Sequence, residues 1–368
     1  MSVAILATGD EIIHGDTLNT NSFHLAQILS SEGFSLGLQL VCSDKETEIS
    51  DCLHFLAANH ELIIITGGLG PTSDDRTRFA LGRFLNTKLI EFPIVLEHIQ
   101  TRLNISPDEL NPGNKQQALF PAGSTLLPNP NGTALGCFYL WQNKIFVLLP
   151  GPPRECLPMF NSYVLPLLEQ RFRSDKQLLK WRVFGVAESE IADLIDSALA
   201  DLDCKTGYRL DTPYVECKVS CKFNLVNEVK QRIEPLVAPH IIGTTELKAS
   251  KCLYETILQT QIPIAIIDEV TGGLLQTLIQ DPASYPWLKF HHDDKAMLHF
   301  HLTGLREFWC GEAKYGKTQL RIDYQNTNLS QKKAYEKHEI PYRSPHVIYY
   351  AVEWLSFRIF HLINQLHQ

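Results

Sequence analysis

A glycine-rich stretch followed by two aspartates is the segment best suited to chemistry. It reads TGGLGPTSDDRT over residues 66–77. Glycines directly after a buried strand let the backbone turn tightly and approach a ligand, and free amides at the start of a following helix favour an anion such as phosphate. Asp74 and Asp75 would repel a bare phosphate, so a divalent cation that bridges them is the simplest hypothesis. A glycine-rich turn with an aspartate as helix N-cap is the alternative.

A second acidic pair, Asp10 and Glu11, follows Gly9 at the end of the first predicted strand. Carboxylates delivered by two adjacent strand ends could meet at one site and hold a hard metal ion through oxygen. A solvated loop is the alternative for this pair taken by itself. The acidic pair and the glycine-rich stretch both follow predicted strands at equivalent ends, and this favours a functional site over a solvated loop.

Three further segments are rich in Asn, Gly and Pro: NPGNKQQ at 111–117, NPNGTA at 129–134 and PGPPRE at 150–155. Such residues are common in ordinary turns. Side-chain amides also contact bases and riboses, and Lys115 could neutralise a phosphate. The third segment follows a strand and could form a pocket wall.

Short apolar runs and helical spacing alternate along the first half of the chain. The predicted strands are 3–8, 36–41, 62–66 and 144–149, and the predicted helices are 21–31, 49–58 and 74–85. The run at 62–66 is continuously apolar and β-branched, which is typical of a strand buried on both faces of a parallel sheet. This pattern predicts a doubly wound α/β domain with a mostly parallel sheet, whose ligands bind beyond the carboxyl ends of the strands.

The pattern changes near residue 180. Strands at 181–185 and 214–223 and helices at 187–200 and 227–236 predict a small α+β module, and the last segment contains a strand at 262–267 and a long apolar helix at 345–366. We predict three domains, 1–170, 171–250 and 251–368.

Composition narrows the functional class. The chain has 368 residues, a net charge of −8 and nine scattered cysteines. The negative charge disfavours nucleic acid as a partner. We expect no membrane partner, because no apolar run reaches the roughly 18–20 residues of a membrane span, and the N-terminus lacks the pattern of a signal peptide. Unpaired cysteines favour a cytoplasmic protein.

Six motifs, in this order, resemble the N-terminal domain of the CinA family, which is similar to molybdopterin-binding proteins of the MogA and MoeA type. They lie at 9–11, 17–21, 66–77, 114–118, 131–134 and 149–153. The resemblance covers nearly all of residues 1–165.

The resemblance implies an ADP-ribose pyrophosphatase, which hydrolyses ADP-ribose to AMP and ribose 5-phosphate with a divalent metal (Mg, Mn or Co), and we expect a homodimer. The implied catalytic carboxylates are Asp75, ranked first, Asp74, Asp10 and Glu11, with Asp10, Asp74 and Asp75 as metal ligands. The implied phosphate- or nucleotide-binding residues are Gly67, Gly68, Gly70, Asn21, Asn114, Lys115, Gln117, Asn131 and Gly151.

The later segments resemble the remaining domains of the same family. The sequence GVAESE at 185–190 matches the signature of its KH-like middle module. An RNA-binding KH domain uses a Gly-x-x-Gly loop, which this module lacks, so we interpret it as a spacer or dimerisation element. The last domain resembles a degenerate nicotinamide-nucleotide amidohydrolase, in which the family sequence ESCTGG is replaced by DEVTGG at 268–273.

Two rivals to the enzyme are a pterin-binding domain without hydrolysis and a regulatory or scaffold protein. Two weaker site hypotheses are a zinc site among the histidines of 291–301 and a metal site at Cys217 and Cys221. The histidines lack a complete ligand set with recognised spacing, and the two cysteines are expected to be packed thiols.

We predict that deamidase activity is absent, since Glu269 stands where the family has its nucleophilic serine. A carboxylate cannot replace a hydroxyl that a neighbouring base activates. The purified protein should release no ammonia from nicotinamide mononucleotide in a coupled assay, and release above the protein-free blank would contradict the prediction.

Overall fold

The computed structural model describes residues 2–172, 175–312, 315–327, 333–343 and 345–367. The chain forms two compact units, Met1–Leu178 and Leu179–Gln368. Within the described ranges, no helix combines the length and the apolar composition that crossing a bilayer requires.

The first unit is built on a six-stranded sheet. Its strands and those of a small two-stranded sheet are β1 Ser2–Thr8, β2 Ser35–Cys42, β3 Leu62–Thr66, β4 Leu89–Glu91, β5 Leu119–Pro121, β6 Thr125–Leu127, β7 Gly136–Trp141 and β8 Lys144–Leu149. The six-stranded order is β2-β1-β3-β8-β7-β6, and β4 pairs with β5. Within this sheet, β2, β1, β3 and β8 run parallel to one another. Strand β7 is antiparallel to β8, and β6 is antiparallel to β7.

Helices cover both faces of this sheet. They are α1 Asp10–Ile13, α2 Thr20–Ser31, α3 Glu46–Asn59, α4 Thr77–Phe84, α5 Pro93–Leu103, α6 Pro112–Gln116, α7 Pro153–Met159 and α8 Leu165–Arg171. Alternate residues of β3 enter different cores: Ile63 and Ile65 pack with α3 and α4, whereas Leu62 and Ile64 pack with α2 and α7. The mostly parallel, doubly wound α/β fold predicted from the sequence is therefore confirmed.

Among the predicted boundaries that differ from the structure, one bears on the candidate site. The helix expected over 74–85 begins at Thr77 and ends at Phe84. Asp74 and Asp75 therefore lie in the preceding loop, where Asp75 accepts hydrogen bonds from backbone amides of that loop. Aspartate competes with helical hydrogen bonding in this way and favours turns.

The second unit contains two sheets. Its strands are β9 Lys176–Phe184, β10 Cys204–Asp211, β11 Tyr214–Lys222, β12 Ile264–Asp268, β13 Leu288–Lys289, β14 Leu298–Gly304, β15 Lys317–Asn326 and β16 Ala334–Pro341. Its helices are α9 Glu188–Ala198, α10 Val226–Val237, α11 Ala249–Thr260, α12 Leu274–Ile279, α13 Arg306–Trp309 and α14 Val347–His367. The sheet orders are β10-β11-β9 and β13-β12-β14-β15-β16. The likeness of the three-stranded module to a KH domain stays a prediction.

A buried carboxylate joins three elements of the second unit. Glu353 of α14 is only 4% exposed. It accepts hydrogen bonds from the Ser250 hydroxyl at 2.7 Å, the Ser250 amide at 3.1 Å and the Tyr214 hydroxyl at 2.7 Å. Because Ser250 lies in the first turn of α11, the carboxylate supplies an acceptor for amides that have no partner inside the helix.

Replacing Glu353 with alanine should destabilise the second unit by about 3 kcal/mol, because buried donors lose their acceptor. Chemical denaturation followed by circular dichroism measures this loss. Glu255→Ala on the exposed side of α11 is the matched control, and an equal effect of the two substitutions would contradict the role given to Glu353.

Candidate functional site

The glycine-rich loop after β3 is held against the end of β1. Gly67 and Gly68 have φ angles of +102° and +64°. A Cβ on Gly67 would lie 2.4 Å from the Thr8 carbonyl oxygen, and one on Gly68 would lie 2.2 Å from Thr77 Oγ1. Only glycine fits both the positive φ and the close approach. Thr77 closes the turn by donating from its hydroxyl to the Gly67 carbonyl at 2.9 Å.

Two buried side chains hold the next two residues of the loop. Arg78, fully buried, donates to the carbonyls of Leu69 at 2.7 Å and Gly70 at 3.2 Å. Gln117, also fully buried, donates from Nε2 to the Leu69 carbonyl at 3.3 Å. Burial lowers the pKa of the Arg78 guanidinium to about 10, so it remains charged at neutral pH. The loop is thus positioned by hydrogen bonds from inside the domain.

Asp75 closes the loop on its outer side. Its carboxylate accepts from the Gly70 amide at 2.7 Å, the Thr72 amide at 2.8 Å and the Thr72 hydroxyl at 2.5 Å. These amides are therefore not available to a phosphate. Among the described residues, no acceptor is bound by the amides of Gly68 and Leu69, which lie in the same loop. They are two donors that this loop leaves for an anion.

Carboxylates surround the loop. Asp44 follows β2, and its Oδ2 accepts from the Asp10 amide at 3.0 Å. Burial is the largest cause that raises the pKa of Asp44, and the negative charges of Glu11, Asp10 and Asp74 raise it further, against the hydrogen bond from Asp10. The mutual repulsion places these carboxylates in one electrostatic group.

The loops after β1, β2, β3 and β8 converge on a cleft of about 370 Å³. The predicted residues that line it are Glu11, Gly67, Gly68, Gly70, Asp74, Asp75, Gln117 and Gly151. The remaining predicted residues do not line it: Asp10, Asn21, Asn114, Lys115 and Asn131.

Three of the asparagines have structural contacts instead. Asn21 donates to the Gly151 carbonyl at 2.7 Å, and Asn131 donates to the Arg154 carbonyl at 2.8 Å. Asn114 forms the capping box of α6. Their amides therefore shape the loops around the cleft.

The predicted metal ligands do not form a preassembled site. No three His, Cys, Asp or Glu side chains in the described part of the chain are grouped so that they could hold a metal ion. Asp75 is engaged by the loop amides and hydroxyl described above. The carboxylates that line the cleft still offer the oxygen ligands that Mg²⁺ prefers, and this ion commonly binds through one or two carboxylates together with substrate phosphates.

The sequence interpretation missed two acidic residues of the cleft, Asp44 and Glu155. Asp44 could have been found, because it follows a predicted strand of the parallel sheet. Glu155 was part of a predicted pocket wall without a role of its own.

The second unit has a larger cavity of about 590 Å³ on its five-stranded sheet, lined among others by His292, His299 and His301. Within the described ranges, these histidines belong to no group of three side chains that could hold a metal ion. Glu269 Oε1 lies 3.3 Å from His301 Nε2 and is largely exposed. Cys217 and Cys221 are buried in the core of the three-stranded module, as expected of packed thiols.

We predict that Asp44→Asn raises the melting temperature at pH 7, since the neutral side chain removes an ionisation that burial and neighbouring charges oppose. A carboxyl with a raised folded pKa loses stability as the pH rises above its unfolded value. The increase in melting temperature should therefore vanish near about pH 3, where the carboxyl is protonated in the folded and the unfolded state. Thermal unfolding at both pH values tests this, with exposed Asp51→Asn as the control. An unchanged or lower melting temperature at pH 7 would contradict the prediction.

Comparison with known proteins agrees with this architecture. The family described as "Probable molybdopterin binding domain" matches residues 4–170. A competence-damage inducible protein of Caldanaerobacter subterraneus is 32% identical over 289 residues, covering 75% of this chain and 69% of that protein. One of Clostridium acetobutylicum is 33% identical over 285 residues, with coverages of 75% and 69%.

Among solved structures, protein CinA of Thermoplasma acidophilum is 26% identical and has a TM-score of 0.43, covering 46% of this chain and 96% of that chain. MoaB of Thermus thermophilus is 22% identical with a TM-score of 0.31, covering 46% of this chain and 92% of that chain. By its identity with the curated relatives over more than two thirds of their length, the chain belongs to the CinA family of competence-damage inducible proteins.

Proposed function

We propose that the first unit hydrolyses the diphosphate of a nucleotide sugar, with ADP-ribose as the expected substrate and AMP and ribose 5-phosphate as products. The observation that carries the proposal is the meeting of unpartnered loop amides with several carboxylates in one cleft. Ligands of doubly wound α/β domains bind at this edge of the sheet.

The loop offers the phosphate site. The amides of Gly68 and Leu69 can donate to a phosphate oxygen at no conformational cost, because Arg78 and Thr77 already hold the loop. Backbone amides are suited to this acidic cleft since they bind anions without adding a charged side chain.

The carboxylates fit a divalent cation that arrives with the diphosphate. One or two of the cleft-lining carboxylates of Glu11, Asp44 and Asp74 would hold it together with the substrate phosphates. Such a cation neutralises charge on the phosphoryl oxygens and lowers the pKa of a bound water.

The chain's own groups then orient and deprotonate the attacking water. A carboxylate of this group accepts the proton. The water oxygen forms a bond to one phosphorus, and the bridging P–O bond breaks, so that AMP and ribose 5-phosphate each leave with a phosphate. Asp75 positions the loop, because its carboxylate accepts hydrogen bonds from the amides of Gly70 and Thr72.

AMP release from ADP-ribose should require Mg²⁺, Mn²⁺ or Co²⁺ and should fall by about a hundredfold or more in Asp74→Asn and in Asp75→Asn. The first substitution removes a charge from the cleft. The second places an amide donor against the amide of Thr72. Chromatographic quantification of AMP measures both, with the exposed Asp108→Asn as the control.

Circular dichroism should show that both variants remain folded. Absence of turnover with every metal in the wild type would overturn the proposal. Binding of ADP-ribose without turnover would then favour the rival of a nucleotide- or pterin-binding protein.

We also propose a cytoplasmic location and a homodimer. All nine cysteines are free thiols, and only Cys310 is exposed, which supports a reducing compartment. The homodimer rests on the family resemblance alone, and sedimentation analysis of the full chain would test it.

A further inference from the structure

We propose that Glu155 and Gln117 form a subsite that recognises the hydroxyl groups of a ribose in the cleft of the first unit. The inference rests on the proposed function in that it assumes a nucleotide or sugar phosphate as ligand. It adds which part of that ligand contacts which residues of the cleft.

Glu155 is a buried carboxylate that accepts few hydrogen bonds from the described residues. It is 7% exposed and lines the cleft. Among the described residues, only Asn129 donates a hydrogen bond to it, from Nδ2 to Oε2 at 2.8 Å. The neighbouring cation, Arg154, lies 4.0 Å from Oε1 and is 82% exposed. A buried ionised carboxylate can accept several more hydrogen bonds and is costly to leave without them.

Gln117 carries a second acceptor without a partner. Its Nε2 donates to the Leu69 carbonyl and to Thr133 Oγ1, each at 3.3 Å. Since a carbonyl can only accept, the amide orientation is determined by Leu69. The Oε1 atom is buried and has no partner within the described residues, and the side chain lines the same cleft.

The wall that carries these acceptors is rigidly built. A Cβ on Gly132 would lie 2.0 Å from Glu155 Oε2, so the carboxylate packs directly against this glycine. The Gly132 carbonyl is in turn bound by His98 Nε2 at 2.9 Å. Acceptors held in this way select a ligand by the donors it carries.

A ribose supplies those donors. The oxygens of an ionised diphosphate only accept hydrogen bonds, and Glu155 would repel them. Hydroxyl groups donate and are neutral, and a carboxylate that binds ribose hydroxyls is a known solution in nucleotide-binding domains. The phosphate therefore lies at the amides of Gly68 and Leu69 and the ribose at Glu155 and Gln117.

Isothermal titration calorimetry of the full chain tests the subsite with two pairs of ligands. They are AMP against 2′,3′-dideoxy-AMP, and ribose 5-phosphate against 2-deoxyribose 5-phosphate. In at least one pair, the wild type should bind the deoxy compound about ten- to a hundredfold more weakly, as expected for hydrogen bonds to a charged group. Glu155→Gln should reduce this ratio to about threefold or less, while exposed Glu169→Gln retains it.

Gln117→Leu provides a second variant, with the same expected loss of preference. Inosine monophosphate lacks the exocyclic amine of AMP and should bind as AMP does. The inference is overturned by equal binding within both pairs, by a hydroxyl preference that survives Glu155→Gln, by weak binding of inosine monophosphate alone, or by no binding of either sugar phosphate. A preserved hydroxyl preference without AMP release from ADP-ribose would overturn the proposed hydrolysis and leave this subsite standing.

Discussion

The buried guanidinium of Arg78 is the interaction on which the cleft depends. It binds the carbonyls of Leu69 and Gly70 from inside the domain, and burying a charge is costly unless such partners compensate it. With these carbonyls held, the positive φ angles of Gly67 and Gly68 turn the chain back over the end of β1. Gly68 and Leu69 line the cleft, and their amides have no acceptor among the described residues.

The cleft combines several kinds of group. The loops after β1, β2 and β3 contribute backbone amides and carboxylates, and Glu155 and Gln117 contribute further acceptors. Burial raises the pKa of Asp44 and the neighbouring carboxylates raise it further, so grouping these charges is unfavourable. Functional sites commonly retain such unfavourable interactions because the ligand relieves them.

The prediction from sequence succeeded where the hydrophobic pattern was strong. The run at β3 indicated a strand buried on both faces, and both faces of β3 do lie in cores. It failed at Asp74 and Asp75, because a local turn that Asp75 stabilises through Gly70 and Thr72 delays the helix. It also overlooked Asp44, whose contribution depends on β2 lying beside β1. Asn21 and Asn131 were matched by motif, yet their amides bind carbonyls of neighbouring loops.

The sequence by itself determined the doubly wound fold, the strand ends at which the loops lie and the residue types that the site can use. These follow from local spacing and composition, which act over a few residues. Only the tertiary structure decided which side chains line the cleft. Which donors and acceptors have no partner among the described residues, such as the Leu69 amide and the Gln117 oxygen, depends on contacts between residues distant in sequence. Hydrogen bonding is directional, so no local pattern reveals which groups it leaves unpaired.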